Sequence, residues 1–172
     1  MSCCNALTEI TYSCLANSGG VREILISCYD NVTGATISNG LITGVTLATA
    51  SSFKSFQFNK NTSSINEEAT VDLANGVTIY TQTVNLVIPY REVAKRNAIL
   101  LLADGQPNLH VIVRDYNDKY WWVGYFAGAN LTTLTTGSGT LKTDANGYTL
   151  GLVAEEPKLA YEVDPAVIPT LI

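Results

Sequence analysis

Residues 63–88, SSINEEATVDLANGVTIYTQTVNLVI, decide what kind of fold this chain builds. Ile65, Glu67, Ala69, Val71 and Leu73 fall on one side of a two-residue period, opposite Asn66, Glu68, Thr70 and Asp72. That period belongs to a strand, whose successive side chains leave opposite faces of the pleat. Asn75-Gly76 interrupts it, after which Tyr80, Val84, Leu86 and Ile88 lie near one face and Thr81, Thr83 and Asn85 on the other. Asn-Gly between alternating strands is a strong hairpin signal, and a type I′ turn there needs positive φ at both central residues. Each arm of the hairpin runs about ten residues and reaches roughly 33 Å, longer than an ordinary strand. Such a hairpin projects beyond a small core unless something covers it.

The flanking sequence continues the β pattern. Before the hairpin, Val21 to Tyr29 reads as a strand in which Ile24, Ile26 and Cys28 alternate with Leu25, Ser27 and Tyr29. Asp30-Asn31 and Ser38-Asn39-Gly40 are turn chemistry, and Leu41 to Ala48 is a second strand. After the hairpin, Pro89 stops the strand and opens a helix from Tyr90 to about Ala103, since the missing N–H is harmless at a helix start. Arg91, Glu92, Lys95 and Arg96 share one arc of the helical wheel, with Val93, Ala94, Ala98, Leu100 and Leu101 across from them as the expected buried face. Ile99 and Leu102 land in the polar arc, so the last turn is apolar all round and calls for cover by another element or subunit.

Leu109 to Asp115 and Lys119 to Ala127 suggest a second hairpin around Tyr116-Asn117-Asp118, with bends at Gly124 and Gly128. The Thr/Gly-rich stretch Leu131 to Thr140 reads as a loop, Asp144 to Gly147 as a turn, and Tyr148 to Ala154 as the last strong strand. Neither an internal repeat nor a linker is visible. Residues 1–172 therefore read as one domain, with an N-terminal arm over 1–20 and a C-terminal arm over 155–172. The latter carries the apolar set Val167, Ile168, Leu171 and Ile172, expected to make contacts with other subunits.

Composition narrows the function classes. Of 172 residues, 47% are hydrophobic and only 15% are Asp, Glu, Lys or Arg, against about 25% charged in an average soluble domain. A surface so poor in charge is a weak defence against self-association. The net charge of −5, without a Lys/Arg run, argues against binding nucleic acid by neutralising phosphates. The apolar, aromatic content excludes disorder. No stretch is long enough to cross a bilayer as a helix, and no secretory leader precedes Arg22, so assembly in a cytosol is expected.

Chemistry is sparse. Cys3, Cys4, Cys14 and Cys28 include no C-x-x-C pair, and the sole histidine, His110, is remote from them, so neither metal nor cofactor is expected. Cys28 reads as a small hydrophobe on its strand. One histidine leaves few acid/base designs, and nucleophile-elbow and phosphate-loop motifs are missing, so an enzyme is not expected. Glu67-Glu68 and Glu155-Glu156 are adjacent pairs, which a strand sends to opposite faces. Tyr120, Trp122 and Phe126 share one face, with Trp121, Val123 and Tyr125 on the other, which favours burial or subunit contact over an exposed ligand platform.

Several stretches together resemble a known family: SSINEEATVDLANGVTIYTQ (63–82), KRNAILLL (95–102), DKYWWVGY (118–125) and DANGYTLGLVAEEPKLAYEVD (144–164). They are similar to virion structural proteins of phages infecting Bacteroidetes-type bacteria, and more broadly to phage tail tube subunits. The resemblance implies a mainly β fold, a β-sandwich or small β-barrel with one flanking α-helix and a long protruding hairpin. It further implies homo-hexameric rings stacked into a tube, in contact with other tail and neck proteins of the virion. Double-stranded DNA would pass through the lumen without specific binding. On that expectation Glu67, Glu68, Asp72, Asn75 and Gly76 mark the hairpin that lines the lumen or meets a neighbouring subunit. The alternatives are a neck ring or tail terminator of the same virion class and, in a different class, a carbohydrate-binding β-sandwich using the Tyr120-Trp121-Trp122 cluster.

Overall fold

The computed structural model describes residues 8–172. The described residues are mainly β, with two sheets and a single α-helix. In order, the strands are β1 (Val21–Cys28), β2 (Val32–Ser38), β3 (Leu41–Leu47), β4 (Lys54–Phe56), β5 (Ser64–Asp72) and β6 (Val77–Pro89). Helix α1 (Val93–Ala103) follows, then β7 (Leu109–Asp115), β8 (Tyr120–Val123), β9 (Asn130–Gly137), β10 (Gly147–Glu156) and β11 (Tyr161–Val163). A seven-stranded sheet runs β2-β3-β11-β8-β7-β1-β4, and a four-stranded sheet runs β5-β6-β10-β9. Every pairing is antiparallel except β11 with β3.

β7 explains how the layers are held. Its first five residues, Leu109 to Val113, are all buried, the continuous pattern of a strand covered on both faces. Leu109, Val111 and Val113 face the interior between the sheets, with Ile24 and Ile26 of β1, against Val84, Leu86, Leu150 and Leu152 from the smaller sheet. Ile112 faces the other way, into a second cluster with Leu25, Trp122, Ile42 and Phe53. The chain end closes this second core. Val167, Ile168 and Leu171 pack into it, and Phe53 N–H donates to the Leu171 carbonyl at 2.7 Å.

This placement corrects the expected C-terminal arm. Val167, Ile168 and Leu171 are 7%, 5% and 1% exposed, so they are spent on the chain's own core. Among those expected contacts only Ile172, 65% exposed, is free to meet a neighbour. Residues 155 and 156 belong to β10, and β11 is pinned between β8 and β3. Pro157 and Pro165 shape turns in a segment that packs back on the sheet rather than one that reaches away.

Three further expectations change. Thr-rich β9 is a strand, not a loop; on a sheet edge, Thr satisfies the β backbone while its exposed face needs no apolar residue. Pro89 ends β6 opposite Gly147, and α1 starts only at Val93 after Glu92 as its N-cap. The helix also buries the opposite face from the one the wheel favours. Ile99 and Leu102 are buried, while Val93 and Leu101 are 72% and 76% exposed. The cause is a narrow contact: α1 touches the core along the stripe Lys95, Ile99 and Leu102, and Lys95 Nζ ties its start to the Pro89 carbonyl at 2.9 Å.

β5 and β6 form the expected long hairpin, whose outer part stands clear of the core. β10 accompanies β6 only as far as Tyr80, so residues 77–79 have β5 as sole partner.

Leu150 is fully buried between the sheets, whereas Leu73 at the hairpin tip is 91% exposed. Leu150→Ala should therefore cost about 2–5 kcal/mol of stability, and Leu73→Ala within about 0.5 kcal/mol of nothing. Urea unfolding of both variants tests this; equal shifts in midpoint would contradict the assignment of core and tip.

Candidate functional site

The smaller sheet has two unlike faces. Gln82, Val84, Leu86 and Ile88 of β6 and Leu150, Leu152 and Ala154 of β10 point inward and are buried. The outward face is arranged in cross-strand rows: Ser64, Asn85, Gly151 and Thr133 stand side by side, as do Glu68, Thr81 and Glu155. Gly151 lets the strands lie flat here, since a Cβ there would meet Thr133 Oγ1 and make that side chain move. Alternation from these rows adds Asn66, Thr70, Thr83, Thr135 and Thr149 to the same face, together with Ile79, Val87 and Val153. No Lys or Arg occurs in any of the four strands. The result is a flat wall rich in hydroxyl and amide groups, interrupted by Val87 and Val153, whose only charges are acidic. Both its outer strands, β5 and β9, leave one backbone edge unpaired among the described residues. Long unpaired edges are templates for pairing with another chain.

At one corner of this wall the hairpin tip projects. Val71, Leu73, Val77 and Ile79 are 56%, 91%, 46% and 40% exposed. The turn differs from a two-residue type I′. It holds Leu73 to Gly76, and only Gly76 has positive φ, at 67°. Asp72 supplies the reason. Its Oδ1 accepts from the N–H groups of Ala74 and Asn75 at 2.9 and 3.1 Å, and its Oδ2 from Asn75 Nδ2 at 2.6 Å. These bonds favour the ionised form, the Asn75 side chain most, and hold the Asp72 pKa below the usual carboxylate value. Asp72 and Asn75 are thus turn-closing groups.

Glu67 and Glu68 part company as the strand period requires. Glu67 Oε2 accepts from Ala160 N–H at 2.8 Å, lashing the hairpin root to the segment before β11. Glu68 is exposed on the outward wall and accepts from Asn66 Nδ2 at 3.0 Å. Glu155 and Glu156 split in the same way, and the buried partner is the informative one. Glu156, 2% exposed, accepts from Phe126 N–H at 3.0 Å and Ala127 N–H at 3.0 Å. Burial pushes its pKa up, against the pull of those N–H groups. Gln82 works beside it, accepting from Gly124 N–H at 3.1 Å and donating to the Lys158 carbonyl at 3.2 Å. Together they clamp the β8–β9 connection, which bends at Gly124 and Gly128 as expected, to the smaller sheet. Nothing in the sequence pattern singled out Gln82; the Glu155-Glu156 pair carried the only signal for Glu156.

The remaining candidates are structural. His110 is buried, stacks on Tyr29 at 4.5 Å and lies edge-on to Trp122. His110 Nδ1 lies 2.9 Å from the Gly124 carbonyl and 3.1 Å from Trp122 Nε1, and burial lowers the histidine's pKa. Trp122 is fully buried, so it offers no face to a sugar. Cys28 is exposed rather than packed, and Cys14 is exposed as well; Cys3 and Cys4 lie outside the described residues. Among the described residues no group of His, Cys, Asp or Glu is placed to hold a metal ion. No helix among them is long and apolar enough to cross a membrane.

Fold and surface together define a two-sheet β protein with an open-edged polar wall and a projecting apolar hairpin. No family model, curated protein or solved structure matches the chain.

Two outcomes follow from the hydrogen bonds. Asp72→Ala should speed hydrogen exchange at the Ala74 and Asn75 amides while leaving the core amides protected. For Glu156 the folded-state pKa lies above the unfolded value, so its favourable contribution is complete below the unfolded carboxyl pKa and is lost as pH rises through the raised one. Glu156→Gln should therefore flatten the fall in stability between acid and neutral pH. Urea midpoints measured across that range decide it, and an unchanged slope would contradict the burial effect.

Proposed function

We propose that this protein is a self-assembling structural subunit of a phage virion, a tail tube subunit whose copies form stacked rings around a DNA channel. The observation that supports it most is the four-stranded sheet: two long open edges flank a flat wall without a single cation. Edge-to-edge pairing of β5 in one copy with β9 in the next would continue the sheet around a closed ring and remove both edges. The polar face would then line the lumen. Threonine, asparagine and a few carboxylates solvate such a surface, and the absence of Lys and Arg gives DNA phosphates nothing to bind. The ring is hexameric on the family resemblance, and its location is the virion tail, assembled in the host cytoplasm.

The hairpin supplies the second contact. Leu73 and its neighbours expose apolar area that a lone subunit has no reason to keep, and a neighbouring subunit would cover it. In this reading Glu68 faces the channel, whereas Glu67, Asp72 and Asn75 keep the hairpin in shape. No catalysis, cofactor or metal enters. A neck ring or tail terminator has the same contacts but stops at one ring.

Negative-stain microscopy of the purified protein should show rings or tubes. Val71→Glu combined with Leu73→Glu should leave the circular dichroism spectrum of the subunit unchanged and abolish these particles. A protein that stays monomeric at high concentration overturns the proposal; rings that never stack favour the neck or terminator.

A further inference from the structure

The segment before β1 and a groove beside β4 are each incomplete in the isolated chain. Residues 8–16 run over the surface in no regular element, and Ile10, Tyr12 and Leu15 are 95%, 92% and 84% exposed. The arm is rooted by Ser18 N–H on Asn117 Oδ1 at 2.8 Å and by Asn117 Nδ2 on Asn17 Oδ1 at 2.9 Å. Beyond that root, its hydrogen bonding among the described residues is confined to Leu15 N–H on Ser13 Oγ. In extended form Ile10, Tyr12 and Cys14 project to one side and Glu9, Thr11 and Ser13 to the other, a pattern suited to an added strand.

The groove lies where β4 ends the larger sheet. Phe56, Ile88 and Ile99 form its floor, and Ala94, Ala98 and Leu101 of α1 form its wall. The small side chains of Ala94 and Ala98 leave space between helix and sheet. Among the described residues β4 pairs only with β1, so its other backbone edge is open there along this groove. None of residues 8–20 lines it. Lys54 stands on β4 at the groove and makes no ion pair among the described residues; Glu9 on the arm makes none either.

From this match we infer that the arm of one copy, residues 8–16, adds as a strand to β4 of a second copy, with Ile10 and Tyr12 seated between β4 and α1. An added strand satisfies the open edge with main-chain hydrogen bonds while alternate side chains fill the groove. This also accounts for the helix keeping Leu101 and Ala98 uncovered in its own chain. The inference needs a second copy but not a tube, so it stands apart from the preceding proposal.

The test uses the full chain carrying Tyr12→p-benzoylphenylalanine, mixed from unlabelled and heavy-nitrogen-labelled preparations and irradiated. Cross-linked peptides joining Tyr12 to residues 52–58 or 88–103, with mixed isotopes, are the expected result. Adding Leu101→Arg, at a site exposed enough to leave folding intact, should lower their yield about tenfold. Cross-links confined to one copy, cross-links between copies elsewhere, or none at all overturn the inference. Microscopy of the same samples reads the tube separately: mixed-isotope groove cross-links without rings or tubes would keep the arm exchange and remove the tube.

Discussion

Burial of β7 on both faces is the constraint from which the rest of the structure follows. A strand reading Leu-His-Val-Ile-Val has no side to give to water, so two separate layers must cover it. The four-stranded sheet supplies one cover, and the segment after β11, through Val167, Ile168 and Leu171, contributes to the other. The first cover buries only one face of the smaller sheet, which leaves its other face in water and, among the described residues, the outer edges of β5 and β9 without a partner. The second cover consumes the apolar chain end. The surface of the molecule is what these two demands leave over.

The polar interior of the loop region is part of the same arrangement. The β8–β9 connection must carry the chain from the larger sheet to the smaller, and its backbone N–H groups need partners away from water. Glu156 and Gln82 provide them from the smaller sheet, while His110 Nδ1 meets the Gly124 carbonyl and Trp122 Nε1 behind it. Among the described residues no buried side-chain polar atom lacks a partner. Such a network ties the register of the two sheets together, because slipping either would strand a buried carboxylate.

Much of this was legible in the sequence, and the failures share a cause. The hairpin, β1, β3, β7 and β10 follow from alternation, since each has at least one face whose polarity the core dictates. β9 escaped because both of its faces are largely exposed, so its alternation had no apolar beat. The helix misled in the opposite sense: its apolar residues are more numerous than its contact can bury, and a wheel counts residues without knowing how wide the contact is. The tail read as a free arm because Pro157, Pro165 and Pro169 mask a packed segment that lacks long regular structure. Asn75-Gly76 located the tip correctly, yet the turn type depended on Asp72, whose side chain competes with the backbone for the same N–H groups. Of the expected site residues, the acidic ones were visible as types, but which of them face water required the register.

That carboxylate has a mechanical consequence. By holding Ala74 and Asn75 in place, Asp72 makes the apolar tip a rigid prong before it meets anything. A flexible loop would surrender conformational entropy when gripped by a partner, whereas a prong already in its final shape surrenders little. Contact through Leu73 would then be governed by shape and desolvation, and the rate of docking would be set by encounter rather than by folding of the tip.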